Sequence, residues 1–442
     1  MRDRLAKTIA DICKDLFGTD VRIELTRPEE KFGDFSTNAA LQLAGKLGTK
    51  PREAAEKLAA KLREDLGDQV SEVTVAGPGF INLKLSDRAL FESLETAPAQ
   101  RYAGQEVLVE FGDPNPFKAM HVGHLYSYIV GDAIASLLET AGAQVKRLSY
   151  HGDVGLHVAK ALWAMQKSAE PPKGDIGRFY AEGAQAYERD EQAKAQIDAL
   201  NAQIYANDPS LKELYDQGKK LSFDDFDAIL KTLGIRTDRR YLESESTPVG
   251  MEMVRRNTGK VFKESEGAIV YEGEKSGLHT RVFLTSKGLP TYETKDLGLA
   301  ELKHKEYPQV ALSVIITAHE QAEYFKVMLA ALGEIQPELA KKTKHLSHGF
   351  VSLSSGKMSS RTGEVYGAGE LLADVAKAAK KQFPNSARDM QLGAVKYAFT
   401  RHRLGGDIVY DVNESISLEG NSGPYLQYAH ARARSVLQKA SN

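Results

Sequence analysis

Residues 106–124 read EVLVEFGDPNPFKAMHVGH, and this stretch decides how the chain folds. It begins with a short apolar run, Glu106 to Phe111, which is typical of a strand and is followed by a loop that proline interrupts twice. His121-Val122-Gly123-His124 then opens an amphipathic run with helical spacing (Leu125, Ile129, Ala133, Leu137). Because the first N–H groups of a helix are unpaired and its dipole favours anions, the stretch predicts a phosphate site.

The composition is that of a soluble globular protein, with 442 residues, 42% of them hydrophobic and 27% charged. This length allows two to four domains. No apolar run approaches the roughly 20 residues of a membrane span, and the N-terminus lacks the pattern of a secretory signal. The single cysteine, Cys13, excludes an internal disulfide, favours a reducing cytoplasm, and is interpreted as a core residue. With a net charge of −2, contacts to nucleic acid must use local basic patches.

The first half of the chain predicts three regions. Residues 1–99 form an α+β unit, with helical patterns at about 1–17 and 36–66 and a strand pair in VSEVTVAGPGFINLKL. Residues 100–165 continue as strand, loop, helix and strand, the opening of a doubly wound parallel sheet. Residues 166–245 are charged and helix-forming, so they predict a helical insertion that splits the nucleotide-binding fold.

The second half predicts the rest of that fold. Strand patterns in GAIVYEG, HTRVFLT and QVALSVIIT indicate that residues 246–350 complete the sheet. Residues 351–405 hold most of a polar, glycine- and serine-rich loop that we expect to be mobile, followed by helices. Residues 406–442 end in a basic helix that starts at Pro424. The predicted class is α/β, with a split Rossmann-like parallel sheet.

Neither of the two candidate motifs is specific alone. Histidines three residues apart, such as His121 and His124, are more often a metal pair or surface residues than a nucleotide site. A metal needs at least a third ligand, which no nearby motif supplies, and Gly123 favours the close approach of a flat ring. The second motif, Lys357-Met358-Ser359-Ser360-Arg361, would by itself be a solvated basic loop.

Together and in this order, the two motifs resemble the HIGH and KMSKS signatures of class I aminoacyl-tRNA synthetases. VEFGDPNPFKAMHVGH, LPTYETKDLGLA (289–300) and GNSGPYLQYAHARARSVL (420–437) resemble segments of the arginyl-tRNA synthetases in particular. FGDFSTNAALQLA and AGPGFINLKL (76–85) are similar to the N-terminal domain of that family. These stretches cover nearly the whole chain.

The resemblance implies an arginine–tRNA ligase. Such an enzyme activates arginine with Mg²⁺-bound ATP, needs bound tRNA to do so, and transfers arginine to the 2′-hydroxyl of the terminal adenosine of tRNA(Arg). The residues implied to bind ATP are His121, Gly123, His124, Lys357, Met358 and Ser359. The family pattern often has a lysine where this chain has Ser360, and Lys118 stands where many arginyl enzymes carry a lysine that could compensate.

The resemblance also implies a set of arginine-binding residues: Glu110, Asn115, Tyr292, Asp296 and Gln321. The two acids match the family's contacts to guanidinium, a planar fork that favours bidentate carboxylates. Asn115 and Gln321 match residues that hold the α-amino and carboxylate end. In isolation, Asp296 is equally well interpreted as a charge at a helix N-terminus and Asn115 as a turn residue. The family often has histidine where Tyr324 stands.

For tRNA, the resemblance implies contacts from residues 1–99 to the elbow and from the C-terminal helix (Tyr425, Gln427, Arg432) towards the anticodon side. The chain would end inside the anticodon-binding domain, as a truncated form. We expect a cytoplasmic monomer without a membrane partner and without protein ligands to magnesium. Two alternatives stay open: a synthetase-like RNA-binding protein without ligase activity, and another HIGH-type nucleotidyltransferase. The early end of the chain and Ser360 favour the first, whereas Tyr292, Asp296 and residues 420–437 oppose the second.

Overall fold

The computed structural model describes residues 1–95, 97–168, 176–354, 356 and 366–440. The chain divides into two compact units, residues 1–99 and 100–442. Within the described ranges, no helix is both long and apolar enough to cross a membrane.

The first unit is an antiparallel sheet packed against helices. Its elements are α1 (Arg2–Phe17), β1 (Leu25–Thr26), β2 (Phe35–Thr37), α2 (Ala39–Leu47), α3 (Pro51–Leu66), β3 (Val70–Ala76), β4 (Phe80–Leu85) and α4 (Asp87–Glu95). The strand order is β1-β2-β4-β3, with antiparallel neighbours throughout. Cys13 lies in the core, where burial raises the pKa of its thiol to about 11, so it packs as an apolar group.

The helical pattern predicted over about 36–66 is formed by two helices with a break between them. α2 is followed by Gly48, whose φ of 64° is left-handed, and α3 begins at Pro51. A left-handed glycine commonly ends a helix, and proline is favoured at the first helical position. The break is therefore encoded by the residues between the two helices.

The second unit alternates strands and helices. Its strands are β5 (Glu106–Glu110), β6 (Gln144–His151), β7 (Arg239–Leu242), β8 (Lys263–Ser265), β9 (Ala268–Tyr271), β10 (Arg281–Leu284), β11 (Leu312–Ala318), β12 (Thr343–His348), β13 (Val351–Leu353) and β14 (Ile408–Tyr410). Its helices are α5 (Val122–Thr140), α6 (Leu156–Lys167), α7 (Gly177–Arg189), α8 (Glu191–Tyr205), α9 (Lys212–Leu233), α10 (Glu243–Arg256), α11 (Tyr292–Glu306), α12 (Ala322–Ile335), α13 (Pro337–Lys342), α14 (Ala368–Gln382), α15 (Arg388–Thr400), α16 (Val412–Ser415) and α17 (Gly423–Ala440).

A five-stranded parallel sheet organises this unit. The strand order is β12-β11-β5-β6-β7, and every neighbouring pair is parallel. From β5 the chain winds outward through β6 and β7, then returns to the other side of β5 for β11 and β12. Ligands of such sheets bind beyond the carboxyl ends of the strands where the winding reverses, here β5 and β11. The predicted split, doubly wound α/β fold is confirmed.

Three predicted segments differ from the observed sheet. Residues 166–245, predicted to be a helical insertion, also contain β7, an edge strand of four residues. GAIVYEG and HTRVFLT do not complete the parallel sheet: they form β9 and β10, which pair antiparallel in a separate sheet with β8. Parallel pairing needs a crossover of a dozen or more residues, and the connection between β9 and β10 is shorter.

Two further strands lie in sequence that carries a weak strand pattern. β12 reads TKHLSH and forms the other edge of the parallel sheet. β13 lies inside the segment predicted as a polar loop and pairs in parallel with β14. Both are short, and β12 is polar, so the apolar alternation that signals a strand is nearly absent.

Candidate active site

A turn of two histidines caps α5 just beyond the carboxyl end of β5. The His121 backbone N–H donates to His124 Nδ1 at 3.3 Å, and the Gly123 N–H donates to His121 Nδ1 at 3.1 Å. The two rings stack with their centroids 3.6 Å apart. Because each Nδ1 accepts a hydrogen bond, each neutral ring carries its proton on Nε2 and presents it as a donor. We call His121, Gly123 and His124 the histidine turn.

Both histidines are neutral at pH 7. Burial, and next the nearby Lys118 ammonium, lowers the pKa of His121 to about 4. Burial also places the pKa of His124 well below its usual range, with His121 adding to the effect. The turn therefore offers N–H donors without a charge of its own, and the positive charge beside it belongs to Lys118. Burial and Lys160 lower the pKa of Lys118, whose Nζ lies 4.8 Å from the centre of the Tyr180 ring.

The loop between β5 and the histidine turn is tied to the end of β6. Asn115 Oδ1 accepts a hydrogen bond from the Gly152 N–H at 3.0 Å, and Asp113 Oδ1 accepts one from the Tyr150 N–H at 2.7 Å. A Cβ on Gly152 would lie 2.6 Å from Asn115 Oδ1, so a larger residue at this position would displace the Asn115 side chain. Asn115 is thus positioned by its oxygen, and its amide nitrogen is left to bind an acceptor.

Four carboxyl groups come together behind this loop: Glu110 at the end of β5, Asp113, Glu243 at the start of α10, and Asp296 in α11. We call this set the acid pocket. Lys303 pairs with Glu110 at 2.8 Å and Lys295 pairs with Glu243 at 2.6 Å, all four side chains being buried. The pocket therefore contains two more carboxyl groups than lysines. Such a surplus favours a cationic ligand.

Asp296, one of the two predicted arginine-binding acids, is buried close to Glu110 and Tyr324. Its Oδ2 accepts a hydrogen bond from the Tyr324 hydroxyl at 3.0 Å, and only 7% of the residue is exposed. Burial, and then the charge of Glu110, raise the pKa of Asp296 to about 8. Burial and Glu110 likewise raise the pKa of Asp113 well above its usual range. Both acids tend to be neutral until a cation approaches.

Two glycines bring the helices of the acid pocket together. A Cβ on Gly250 of α10 would lie 1.9 Å from the Thr294 carbonyl oxygen, and one on Gly298 of α11 would lie 2.1 Å from that of Ser246. No side chain fits at either position, so the two backbones touch. This close crossing sets the distance between the start of α10 and Asp296.

The remaining predicted arginine-binding residues are less enclosed. Tyr292 is 67% exposed at the start of α11, with the Lys295 ammonium 5.4 Å from the centre of its ring. Gln321 is half-buried and directly precedes α12. Glu110 is inside the pocket, but its carboxylate already accepts a hydrogen bond from Lys303.

The KMSKS-like residues Lys357, Met358, Ser359 and Ser360 lie outside the described residues. The segment that follows them contacts the histidine turn directly. The Val122 N–H donates to the Tyr366 carbonyl at 3.0 Å, and the Ala368 N–H donates to the Met120 carbonyl at 2.8 Å. The chain thus returns from this loop alongside the predicted ATP site.

The predicted tRNA-binding residues lie on α17, away from the buried core. Tyr425, Gln427 and Arg432 are all exposed, as are the other side chains from 425 to 440. Gln427 Nε2 donates to the Asp389 carbonyl oxygen at 2.9 Å, which fixes the start of the helix against α15.

Sequence reasoning missed Asp113, Glu243 and the two buried lysines. The partners of each ion pair are 52 and 193 residues apart, so no local spacing connects them. The one available signal was the unusual charge in the apolar helix pattern around residues 293–303. Asp153 was also missed: it accepts hydrogen bonds from the Ser244 N–H at 2.9 Å and the Tyr215 hydroxyl at 2.7 Å.

Comparisons with known proteins match both units. The family model described as tRNA synthetases class I (R), catalytic domain, matches residues 88–400, and the one described as Arginyl tRNA synthetase N terminal domain matches residues 1–85. An arginine–tRNA ligase of Phocaeicola vulgatus is 27% identical, covering 100% of this chain and 82% of the relative. One of Bacteroides fragilis strain YCH46 is 28% identical with the same coverage.

Among solved structures, the arginyl-tRNA synthetase of Thermus thermophilus is similar, with a TM-score of 0.74 and 27% identity over 100% of this chain and 82% of that one. The Plasmodium falciparum arginyl-tRNA synthetase has a TM-score of 0.71 at 20% identity, covering 99% and 80% of the two chains, and supports the fold alone.

Proposed function

The chain belongs to the class I arginyl-tRNA synthetases, and from this premise we propose how its own residues carry out the reaction. Its activity is that of an arginine–tRNA ligase, with ATP as the second substrate. The observation that carries the proposal is the pairing of a neutral, donor-bearing histidine turn with an acid-rich pocket at the carboxyl ends of the same sheet.

In the first step, a carboxylate oxygen of arginine attacks the α-phosphorus of ATP, and the bond to the β-phosphate oxygen breaks. Arginyl-adenylate forms and pyrophosphate leaves. We propose that His121 and His124 donate their Nε2–H groups to the phosphate oxygens as charge builds up on them, while Lys118 supplies positive charge. Lys357, Met358 and Ser359 are proposed to act on the same phosphates, as the KMSKS resemblance implies.

Arginine is proposed to lie with its guanidinium in the acid pocket and its α-amino end at Asn115. Asp296 would bind the guanidinium, and Glu110 and Tyr292 would line the rest of the guanidinium site. Gln321 would lie beside the α-amino and carboxylate end of arginine. When the cation enters, Asp296 ionises, because an adjacent positive charge favours the charged form of a buried carboxyl. Lysine lacks the planar fork, and a site built to pair with one discriminates strongly against ligands that leave its polar groups unpaired.

In the second step, the 2′-hydroxyl of the terminal adenosine of tRNA attacks the carbonyl carbon of the adenylate and AMP leaves. We propose that residues 1–99 contact the tRNA elbow and that Tyr425, Gln427 and Arg432 of α17 contact its anticodon side. α17 supports this assignment because it is exposed, basic and free of acidic residues.

Three further assignments belong to this proposal. Magnesium enters with ATP, held by the phosphates and water, because Mg²⁺ dehydrates reluctantly and is usually bound through substrate phosphates. The enzyme works as a monomer in the cytoplasm, where tRNA is charged. The catalytic sheet takes its strands from residues 100–165, from β7 at the end of residues 166–245 and from residues 246–350, and the helical part of residues 166–245 is the insertion. We assign residues 351–405 as a helical connection and residues 406–442 as the start of the anticodon-binding region.

The test is ATP–pyrophosphate exchange with arginine, measured with and without tRNA(Arg). We expect exchange that depends on both arginine and tRNA. Binding of tRNA without any exchange would instead support an RNA-binding protein, and exchange with an acid other than arginine would support a different nucleotidyltransferase. Either result would overturn the proposed ligase mechanism.

A further inference from the structure

The loop between β5 and the histidine turn contains a residue in an unusual backbone conformation. Phe117 has a φ of 66°, in the left-handed region that bulky residues rarely adopt, and it is completely buried. Such a conformation is costly and persists only where the surrounding structure enforces it. Phe117 directly precedes Lys118, the residue proposed to supply positive charge to the phosphates of ATP.

A helix of the insertion, α9, holds Phe117 in place. The Phe117 N–H donates to Ser222 Oγ at 2.8 Å, and the Ser222 hydroxyl in turn donates to the Gly218 carbonyl oxygen at 2.9 Å. A Cβ on Gly218 would lie 2.3 Å from Cε1 of Phe117, so the ring occupies the space that a side chain would need. The Tyr215 ring lies alongside, with its centre 5.7 Å from that of Phe117. We call Tyr215, Gly218 and Ser222, which share one face of α9, the α9 notch.

The α9 notch is anchored to the carboxyl end of β6. The Tyr215 hydroxyl donates to Asp153 Oδ2 at 2.7 Å, and Asp153 Oδ1 accepts a hydrogen bond from the Ser244 N–H at 2.9 Å. Asp153 is completely buried, so these bonds are shielded from water. The notch therefore holds a fixed position relative to the parallel sheet.

The phenylalanine ring is what connects the loop to the notch. A glycine at position 117 would adopt a left-handed φ without strain, but it would leave the notch empty and the loop free to move. The burial of the ring against α9 instead offsets the cost of the backbone conformation. The direction in which the chain leaves Phe117, and with it the position of Lys118, is thereby set by α9.

We propose that Phe117 is a positioning residue for the activation of arginine. Seated in the α9 notch, it holds the loop so that the ammonium group of Lys118 faces the phosphates of ATP. The insertion thus controls the rate of the first step through Phe117 without controlling the affinity for either small substrate. This inference rests on the proposed function, since it requires Lys118 to act on the phosphates.

The neighbouring substrate contacts have supports of their own. Asn115 is fixed through its hydrogen bond with the Gly152 N–H, and the histidine turn is fixed by hydrogen bonds at the start of α5. A displaced Phe117 should therefore move Lys118 more than it moves Asn115 or the histidines. The expected signature is a loss of rate without a loss of affinity.

The experiment is ATP–pyrophosphate exchange with arginine and tRNA(Arg), measured on the full chain over a range of ATP and arginine concentrations. In Gly218→Ala the added methyl group displaces the ring, so kcat should fall about tenfold or more while both KM values stay within about twofold of wild type. In Gly218→Ala/Phe117→Leu most of the rate should return, because leucine lacks Cε1, the atom nearest to the new methyl group.

Two more variants separate a positioning role from a structural one. Ser222→Ala removes a single oxygen atom and leaves the Phe117 N–H without its acceptor, so it should lower kcat with the same small change in KM. On a Lys118→Met background, Gly218→Ala should lower kcat no further, because the cation that Phe117 positions is already gone.

Leu230→Ala is the matched control. Leu230 is buried on the same helix but contributes to the core away from the α9 notch. Its truncation leaves a cavity, so it should lower the melting temperature while kcat and both KM values stay at their wild-type levels.

The outcomes distinguish this inference from the proposed function. The role of Phe117 is overturned by a wild-type kcat in both Gly218→Ala and Ser222→Ala, by a raised KM with an unchanged kcat, or by a further loss of about tenfold on the Lys118→Met background. An equal loss of kcat in Leu230→Ala would also overturn it, by assigning the effect to the fold. If Gly218→Ala cannot be purified folded, Ser222→Ala decides. The proposed function fails separately, if the wild type shows no exchange that depends on arginine.

Discussion

The histidine turn and the acid pocket lie at the same end of the parallel sheet and are proposed to bind opposite charges, yet burial favours the uncharged form of the side chains in both. It lowers the pKa of His121 to about 4 and raises the pKa of Asp296 to about 8. Each side chain is thereby neutral near pH 7 before its substrate arrives. In both regions, removal from water favours the uncharged form.

The two regions differ in how they are built. The histidine turn is held by hydrogen bonds between residues two and three positions apart at the start of α5. The acid pocket draws its carboxyl groups from β5, the loop after it, α10 and α11, and depends on the close crossing of two helices. Local backbone geometry positions the donors that we propose for phosphate, whereas tertiary packing positions the acceptors that we propose for guanidinium.

The difference has a functional consequence. In the proposed function, the histidines would keep the same protonation state when phosphate binds, since a neutral ring is already a donor at Nε2. Asp296, by contrast, would lose a proton when the guanidinium enters, because burial and Glu110 raise its pKa to about 8. Arginine binding should therefore depend on pH, while the histidine contribution should be nearly constant above pH 6.

The largest effect on arginine affinity should come from Asp296→Asn. Removing one partner of a buried charge pair costs roughly 2–5 kcal/mol, so arginine affinity should fall by about 30-fold or more while ATP affinity stays near that of the wild type. Equilibrium titration with each ligand measures both. Asp132→Asn, which removes a carboxylate that pairs with Arg147, should affect neither affinity. An unchanged arginine affinity in Asp296→Asn would remove this residue from the pocket.

His124→Ala tests the histidine turn in the same way. Loss of one donor to the transition state costs on the order of 3 kcal/mol, so kcat for aminoacylation should fall about 100-fold or more while arginine affinity changes little. His279→Ala, an exposed histidine of the same unit, should leave both unchanged. Equal losses of kcat and of arginine affinity would argue that His124 supports the fold and not the transition state.

The sequence predicts the locally built region well. The strand, the loop with two prolines and the helix start at His121 all follow from residue order within 106–124, and β6 follows from its apolar run. The fold class and the ligase activity are confirmed. The site residues of this region stay predictions about chemistry, since their positions agree with the proposal without testing it.

The non-locally built region was predictable only in part. Asp296 could be singled out through the LPTYETKD resemblance, but Glu243 and Lys303 could not, because their partners Lys295 and Glu110 lie 52 and 193 residues away in the chain. Tyr324, noted only as a departure from the family pattern, proves to donate a hydrogen bond to Asp296. β7 escaped prediction for a related reason: a four-residue edge strand with two arginines has no apolar alternation of its own.

The smallest expected effect is on folding stability. Its dependence on pH has opposite signs for the buried histidines and for Asp296. Histidines whose folded pKa is lowered stabilise the protein above pH 6.5 and lose that contribution as pH falls towards 4. His121, His151 and His157 all behave this way, with burial lowering each pKa to about 4. Asp296 is opposite: with its pKa raised from 3.8 to about 8, it destabilises the empty protein progressively as pH rises through that range.

Thermal melts should therefore show a midpoint that drops by about 5 °C between pH 7 and pH 5, and that rises with arginine more at pH 8 than at pH 6. The acidic loss should shrink in His157→Gln, and the extra alkaline gain with arginine should vanish in Asp296→Asn. Arginine stabilising the wild type equally at pH 6 and pH 8 would mean that Asp296 does not release a proton on binding. Asp296 would then be charged before its ligand arrives. Burial would keep the histidine turn neutral but not the acid pocket.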